Sequence, residues 1–379
     1  MRRMFRQGAY ASLAAVAMAA CGSKEATQST WDPKGKYAAS IDKLQRPIFY
    51  VAGIVGVIVT VACVMAIARF RERPDKVFVP HQSHGNNKVE IGLTALSAAI
   101  LLACAVPTIN VLFDINENPK DALQVNVIGQ QWWWEFQYPE SGIVTASELV
   151  IPAGRKVRLN ITSRDVIHSF WIPALNGKRD AVPNRYHPLN LLADEPGTYQ
   201  GQCTEFCGLS HANMRQRVVA LSPEDFEKWE ANQKKLAVKP AADTAEARGE
   251  ELFAQQCARC HQINGLVDEK GMQIDNQADE QLVSGAAPNL THLMSRSRFA
   301  GATFALAKEG CETKNAVSVT GTAGECLDRA ALEAWLRNAP EMKPMYSVLN
   351  EDKKYRGMPN LGLSEAAIDD LVAYLKTLS

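Results

Sequence analysis

Two long uncharged stretches constrain this chain more than any other feature of its sequence. Residues 48–68 and 91–113 contain no Asp, Glu, Lys or Arg. A helix needs about 20 apolar residues to cross the hydrocarbon core of a membrane, and each stretch meets that length. A buried helix of a soluble protein is the alternative, but two such stretches so close together favour a transmembrane hairpin. We predict helices over 47–70 and 90–113, joined by a loop over 71–89.

The charges that flank these stretches bear on their orientation. Basic residues occur both in the loop and before the first stretch, so the positive-inside rule decides little. The flank after the second stretch is acidic, with Asp114 and Glu117. We therefore predict that segment 21–46 and everything after residue 113 lie outside the cytoplasm, on the periplasmic side of a bacterial inner membrane.

The N-terminus has the pattern of a secretion signal. Basic residues are followed by an apolar stretch that is too short to span a bilayer, and small residues precede Cys21. This pattern resembles the cleavage site of bacterial lipoproteins, which implies a signal peptide over 1–20 and lipidation of Cys21. An ordinary signal peptide or an uncleaved leader is the alternative.

The composition limits the classes of partner. The 379 residues include 41 Lys plus Arg and 41 Asp plus Glu, so no excess of charge indicates nucleic acid. The length allows two or three domains. Cys311 and Cys326 stand apart from the other cysteines, in a polar stretch to which we assign no role. In an oxidising compartment they could form a disulfide; two unpaired thiols are the alternative.

A cluster of metal-binding residue types occupies the middle of the chain. Cys203, Cys207, His211 and Met214 fall within twelve residues. Cys-x-x-x-Cys alone could be a disulfide, half of a zinc site or a redox pair. Two thiolates with an imidazole and a thioether favour copper, because thiolate and thioether suit Cu(I) while imidazole suits both oxidation states.

A second motif, Cys257-Ala-Arg-Cys260-His261, is the attachment signal for a c-type haem. We expect both cysteines on one helix, where two thioethers hold the haem edge and the imidazole reaches the iron. A chain with a copper cluster and a haem motif is suited to moving electrons.

Segment 114–236 has the pattern of an all-β domain. Alternating runs at 124–128, 155–161 and 217–221 are typical of half-buried strands, and Pro- and Gly-containing turns separate them. Many short strands favour a β-sandwich or small barrel. His168 lies near the end of such a strand; alone it would more often be a core residue, but with the Cys/His/Met loop it is a candidate copper ligand.

The stretch 237–247, rich in Ala and containing Pro, is predicted to link this domain to a C-terminal domain over 248–379. If it is flexible, its ends average about 20 Å apart. Such a tether gives an effective concentration on the millimolar scale, so docking of the two domains would need little intrinsic affinity.

Residues 30–222 resemble subunit II of the haem–copper cytochrome c oxidases. The resemblance runs through 129–138 (GQQWWWEFQY), 165–171 (DVIHSFW) and 199–214. It implies a cupredoxin-like fold and a binuclear copper centre, CuA. The ligands that it implies are His168, Cys203, the backbone carbonyl of Glu205, Cys207, His211 and Met214. Quinol oxidase subunits of this fold lack the copper ligands, whereas all of them are present here.

The same resemblance implies three further roles. Trp132 matches the aromatic residue that receives electrons from cytochrome c, while Trp133 and Trp134 are expected to pack a strand. The side chain of Glu205 would point toward a magnesium site shared with subunit I. Glu90 matches a carboxylate near a proton-uptake entrance; a charged helix end at the interface is the alternative.

The C-terminal domain resembles an all-α class I cytochrome c domain, through 285–292 (GAAPNLTH), 332–336 (LEAWL) and a closing helix over 364–378. The resemblance implies His261 as one axial ligand of iron. Met358, in a Met-Pro pair before the last helix, would be the other, and Met345 is its competitor. The whole chain thus resembles a caa3-type subunit II with its own cytochrome c.

The resemblance implies an electron-input role beside oxidase subunits I and III in a lipid membrane. Cytochrome c or a cytochrome bc complex would supply electrons, and subunit I would reduce O2 to water with proton pumping. A membrane-tethered copper chaperone also uses Cys-x-x-x-Cys and a distant His, but it has a thioredoxin-like βα pattern and no attached haem. A stand-alone electron relay would not need a membrane hairpin.

Overall fold

The structure is a computed structural model that describes residues 27–71, 85–264, 266–267, 273–274, 286–308, 311, 326–346 and 356–379. The predicted signal over 1–20, Cys21 and most of the loop 71–89 lie outside these residues. The chain divides into two compact units, Ala39–Glu117 and the remainder, Met1–Ala38 with Asn118–Ser379.

The first unit consists of two long helices, α1 (Lys36–Phe70) and α2 (Asn87–Ile115). Both are apolar enough and long enough to cross a membrane, and the rest of the described chain buries neither apolar stretch. The predicted spans 47–70 and 90–113 lie inside these helices. Ser40 donates a hydrogen bond of 2.8 Å to Asp114 near the end of α2, so the helices are antiparallel.

The start of α2 is capped by its own side chains. The Asn86 side chain accepts hydrogen bonds from the amides of Lys88 and Val89, and the Glu90 carboxylate accepts one of 3.1 Å from the Asn86 amide. This reciprocal capping stabilises the first turn of the helix. Glu90 therefore has a local structural role, and its place near a proton-uptake entrance stays a prediction.

Ten strands follow α2: β1 (Leu123–Gln130), β2 (Trp133–Tyr138), β3 (Ile143–Ala146), β4 (Glu148–Pro152), β5 (Val157–Ser163), β6 (His168–Phe170), β7 (Arg179–Ala181), β8 (His187–Leu191), β9 (Gly197–Gln202) and β10 (Arg215–Leu221). They form a five-stranded sheet of order β3-β2-β1-β5-β8, a three-stranded sheet of order β4-β10-β9 and the pair β6-β7. Strand β1 is parallel to β5 and antiparallel to β2.

Alternating side chains explain why these segments form strands. In β1, Leu123, Val125 and Val127 are buried while Gln124 and Asn126 are half-buried, which is the period of two expected of a sheet that covers a core. Apolar residues from both main sheets enclose one hydrophobic core. The three strands predicted from the sequence are confirmed, with ends shifted by two residues or fewer.

The segment just before the membrane hairpin belongs to the β domain. The Lys34 amide donates to the Ala174 carbonyl at 2.8 Å, and Tyr37 is fully buried. A Cβ on Gly35 would collide with the Leu192 carbonyl oxygen, so only glycine fits there. Residues 34–37 of the predicted external segment 21–46 are thus packed against this domain.

After the short helix α3 (Pro223–Gln233), the C-terminal domain is built from α4 (Ala245–Gln256), α5 (Arg329–Met342) and α6 (Glu365–Leu375). Its other elements are the 3-10 turn Leu293–Ser295 and four two-residue strands, β11 (Leu266–Val267), β12 (Gln273–Ile274), β13 (Arg298–Phe299) and β14 (Phe304–Ala305). The predicted apolar stripe of the closing helix is confirmed as buried. Helices α4 and α6 meet at Gly249, where a Cβ would collide with the Asp370 carbonyl.

The haem-motif cysteines and the Cys311–Cys326 pair can be compared with what the sequence predicted. The haem-motif cysteines do not lie on a helix, because the amides of Cys257 and Ala258 both bond to the Phe253 carbonyl, which ends the helical ladder at Gln256. The motif continues as turns.

Of the two alternatives for Cys311 and Cys326, the structure shows the disulfide, with Cα atoms 5.5 Å apart.

Candidate metal and haem sites

The groups predicted to bind copper converge at one end of the β domain. The Sγ atoms of Cys203, just after β9, and Cys207 lie 3.8 Å apart. Two predicted ligands lie near Cys203 Sγ: His168 Nδ1 at 4.0 Å and the Glu205 carbonyl oxygen at 3.3 Å. Two others lie near Cys207 Sγ: His211 Nδ1 at 3.5 Å and Met214 Sδ at 3.8 Å.

His168 is fully buried, and Asp165 orients its ring. It opens β6 rather than ending a strand as expected. Nε2 lies 2.8 Å from Asp165 Oδ1, which leaves Nδ1 facing the Cys203 thiol. Burial disfavours the imidazolium, but hydrogen bonds with Asp165 and Cys203 raise the pKa of His168. The carboxylate thus selects the ring nitrogen that can bind a metal.

The two thiols are buried and differ in acidity. Cys203 is 4% exposed and Cys207 is 2% exposed. A hydrogen bond with Cys207, reinforced by one with His168, lowers the pKa of Cys203 against the effect of burial. The same hydrogen bond and burial raise the pKa of Cys207. The pair therefore favours the thiolate at Cys203, and the thiolate is the form of cysteine that binds metals.

Gln131 and Asp165, which were not assigned a role from the sequence, hold the ligand loop together with Trp132. The Cys207 carbonyl accepts hydrogen bonds from Gln131 Nε2 at 2.7 Å and from Trp132 Nε1 at 3.0 Å. The backbone amide of Gln131 in turn donates to Asp165 Oδ2 at 2.7 Å. Asp165 therefore orients both His168 and Gln131. Its position three residues before His168 is the sequence signal that could have revealed it.

The donor set fits copper. The ligand atoms of His168, Cys203 and Cys207 lie within 4.8 Å of one another and all three residues are buried. Two sulfurs that share this space with imidazole nitrogens, a thioether and a backbone carbonyl match the preference of copper for soft sulfur ligands combined with imidazole.

The haem-motif histidine is oriented for iron. His261 Nδ1 donates to the Pro288 carbonyl at 2.8 Å, which leaves Nε2 free as a ligand. Burial lowers the pKa of His261, so the imidazole is neutral, as ligation requires. Cys257, four residues earlier, lies in the hydrophobic cluster formed by the helices of this domain.

A buried cation lies close to His261. Arg296 is 5% exposed and donates through one terminal nitrogen to the Asn289 carbonyl at 2.5 Å. Its Nε has no hydrogen-bond partner among the residues that the structure describes, and burial lowers its pKa to about 10. A haem carries two carboxylates, so an orphaned buried donor beside the histidine fits this cofactor.

The two candidate methionine ligands contact different hydrophobic clusters. Met358 contacts the cluster of the C-terminal domain, which also contains Cys257. Met345 packs against the core of the β domain and also lies beside Gly357, the residue before Met358. Met358 as the axial ligand stays a prediction.

Trp132 lies beneath the C-terminal domain. It is 2% exposed, and its ring centroid is 5.5 Å from that of Tyr346. The Lys343 side chain, just after α5, donates to the Trp132 carbonyl at 2.9 Å. The haem domain is thus packed directly on the residue expected to receive electrons. Neither Lys343 nor Tyr346 was singled out by sequence reasoning, because no local pattern marks a contact over this separation.

Comparison with known families agrees with this division of the chain. Residues 32–111 match the transmembrane domain of cytochrome c oxidase subunit II, and residues 141–221 match its periplasmic domain. Residues 246–311 match the cytochrome c family.

Individual relatives cover most of the chain. Cytochrome c oxidase subunit 2 of Alkalihalophilus pseudofirmus is 32% identical over 265 residues, which are 68% of this chain and 77% of the relative. The protein of the same name from Bacillus subtilis is 29% identical over 329 residues, which are 82% of this chain and 81% of the relative. The crystal structure of the periplasmic domain of cytochrome oxidase subunit II from Bradyrhizobium japonicum is 32% identical, with a TM-score of 0.30, and covers 31% of this chain and 96% of that one. This chain therefore belongs to the cytochrome c oxidase subunit II family, in the form that carries a fused cytochrome c domain after the transmembrane hairpin and the β domain.

Proposed function

We propose that this chain is the electron-input subunit of a respiratory cytochrome c oxidase and passes electrons from its own haem c to a CuA centre and on to subunit I. Subunit I would reduce O2 to water with proton pumping, so this chain itself makes and breaks no substrate bonds. The observation that carries the proposal is the convergence of Cys203 and Cys207 with two imidazoles and a thioether, directly beneath a domain with a haem motif.

The residues proposed to hold copper are Cys203, Cys207, His168, His211, Met214 and the carbonyl of Glu205. Two copper ions bound there would supply a one-electron relay between haem c and subunit I. Burial of both thiols keeps water from the ligand sulfurs. The hydrogen bonds of Asp165 to His168, and of Gln131 and Trp132 to the Cys207 carbonyl, hold the ligands in place, so little rearrangement accompanies electron transfer.

The residues proposed to hold haem c are Cys257 and Cys260, as thioether links, with His261 and Met358 as axial ligands. His/Met ligation gives haem a high potential compared with other ligand pairs, which suits both uptake from an external cytochrome and delivery to copper. The hydrogen bond from His261 to the Pro288 carbonyl fixes the ring and makes it a stronger ligand.

The partners follow from the family. We propose subunits I and III as membrane partners, because α1 and α2 expose apolar side chains along their length. Cytochrome c or a cytochrome bc complex would be the external donor. The exposed Glu205 side chain would reach a magnesium site shared with subunit I, and both soluble domains would lie on the periplasmic face of a bacterial inner membrane.

Metal analysis of the full chain tests the proposal. The full-length protein, purified in detergent with haem maturation and copper, should contain two copper ions and one covalent haem. Cys207→Ser should lose the copper and keep the haem, whereas Cys104→Ser, which changes a thiol within α2, should keep both. A single labile copper, or none, would contradict the binuclear site and favour a copper chaperone or a simple haem relay.

A further inference from the structure

The contact between the two soluble domains contains a lysine with an unusual environment. Lys343 is 2% exposed, and its Nζ donates to the Trp132 carbonyl at 2.9 Å and to the Ala300 carbonyl at 2.8 Å. One acceptor belongs to the β domain and the other to the haem domain. Among the described residues, Lys343 forms no ion pair, so these two hydrogen bonds are what offset the desolvation of its amine.

An apolar side chain of similar length would occupy the same space without that desolvation. Burial indeed lowers the pKa of Lys343 to about 7. What an apolar side chain would not supply is direction: the hydrogen bond to the Trp132 carbonyl fixes the haem domain on the β domain, while the bond to the Ala300 carbonyl holds the amine in place within the haem domain. Neither acceptor carbonyl has a second partner among the described residues, so removing the amine would leave the buried Trp132 carbonyl and the half-buried Ala300 carbonyl without this donor.

Trp132 is held from two sides at this contact. Its carbonyl accepts from Lys343, while its indole Nε1 donates to the carbonyl of the copper-ligand residue Cys207 at 3.0 Å. The indole ring faces Tyr346, with an interplanar angle of 47°. A separate donor protein that needed to contact this indole would meet Tyr346 instead, because Trp132 is only 2% exposed.

The loop 300–303 of the haem domain adds further contacts at the same place. Gly301 accepts a hydrogen bond of 3.0 Å from the Arg215 amide, and Thr303 Oγ1 donates to the Asn213 carbonyl at 2.7 Å. A Cβ on Gly301 would lie 2.5 Å from the Trp132 carbonyl oxygen, so the two backbones approach closely. Asn213 sits between the proposed ligands His211 and Met214. The haem domain therefore contacts both Trp132 and the ligand loop.

We propose that Lys343 is a positioning residue for electron input: by joining the Trp132 and Ala300 carbonyls it keeps the haem domain on Trp132 and closes this residue to a separate donor protein. The attached domain is then the route by which electrons reach the copper domain. In each transfer the haem domain loses one electron and the copper domain gains it, with no bond made and no proton moved. The inference rests on the proposed function for the electron step, but the closure of Trp132 can be measured without it.

The test uses the intact oxidase complex with Lys343→Met, Lys343→Arg and the control Lys376→Met, which removes an exposed lysine at the end of α6. Hydroxyl-radical footprinting read by mass spectrometry reports the oxidation of Trp132, with the half-exposed Trp31 as an internal reference. A buried Trp132 carbonyl without a donor should raise the fraction of open molecules, and with it Trp132 oxidation, by about tenfold in Lys343→Met. Lys343→Arg, which keeps N–H donors, should resemble the wild type more closely, and Lys376→Met should match it.

Flash-induced electron transfer from haem to copper, measured in the same samples, should slow in Lys343→Met while the optical spectra of both centres stay unchanged. Wild-type levels of Trp132 oxidation and an unchanged transfer rate in Lys343→Met would overturn the proposal. Equal effects of Met and Arg would assign the contact to side-chain size and would also overturn it. If the purified wild-type protein is found to contain no copper or no haem, the proposed function is contradicted. The footprint would still decide whether Lys343 closes Trp132.

Discussion

The indole of Trp132 donates a hydrogen bond of 3.0 Å to the backbone carbonyl of Cys207, one of the two thiols proposed to bridge copper. The residue expected to receive electrons is thus joined directly to a ligand residue. Gln131 Nε2 donates to the same carbonyl at 2.7 Å, so this oxygen has two donors. Removing one of them should leave the ligand loop in place.

This redundancy gives a prediction for Trp132→Phe. The variant keeps an aromatic ring but loses the Nε1 donor, and Gln131 continues to hold the loop. We expect copper content to be unchanged and electron transfer from haem to copper to slow, as flash photolysis would measure. Loss of copper in Trp132→Phe would contradict this prediction and would show that the indole is needed to hold the copper ligands.

Asp165 should control copper affinity without being a ligand. Asp165→Asn weakens the hydrogen bonds that orient His168 and the Gln131 amide. Changes of this kind cost roughly 10- to 100-fold in metal affinity. Competition with a copper chelator would measure the loss, and Asp121→Asn, which changes an exposed aspartate, should behave as the wild type. Equal affinities of the two variants would refute the role of Asp165.

The methionine ligand can be identified by a matched pair of variants. Met358→Leu should lose the absorption band of a thioether bound to ferric haem and should lower the haem potential, because the second axial ligand is missing. Met345→Leu should retain both, since Met345 packs on the core of the β domain. The reverse outcome in a redox titration of the two variants would exchange the assignments.

A buried carboxylate should strengthen domain docking. Glu148 of β4 accepts hydrogen bonds from the amide of Ser297, at 3.1 Å, and from its hydroxyl, and Arg217 donates to Ser297 Oγ at 2.9 Å. Glu148→Ala leaves Arg217 buried without this carboxylate, which should cost about 3 kcal/mol of docking free energy. Hydrogen exchange at the Ser297 amide would report it; Glu140→Ala, at an exposed position, is the control and should change nothing.

Docking should also depend on pH through Lys343. Burial lowers the pKa of this lysine to about 7, although the charge of Cys207 acts in the opposite direction. An undocked lysine, with a pKa of about 10.4, keeps its proton between pH 7 and 10. The undocked state then binds more protons, so docking should strengthen as pH rises across this window and stay constant below it. Trp132 footprinting between pH 6 and 9 should show increasing protection, and a flat profile would contradict the sign.

Local patterns were sufficient for most of the fold. The alternation in β1, the apolar stripe of α6 and the uncharged runs in α1 and α2 all lie within single elements, and these four elements were found. The haem-motif cysteines were misplaced on a helix, because the end of α4 depends on two amides that share the Phe253 carbonyl. No residue pattern shows that geometry.

The sequence by itself determined the chemistry of this protein, since Cys203, Cys207, His211, Met214 and the Cys257-x-x-Cys260-His261 motif are clustered along the chain and specify their cofactors by residue type. Only the tertiary structure decided how the two sites are connected. Asp165 orients His168 across a turn, and Lys343 reaches Trp132 across a domain boundary. Such contacts depend on packing between residues far apart in sequence, which no local pattern along the chain specifies.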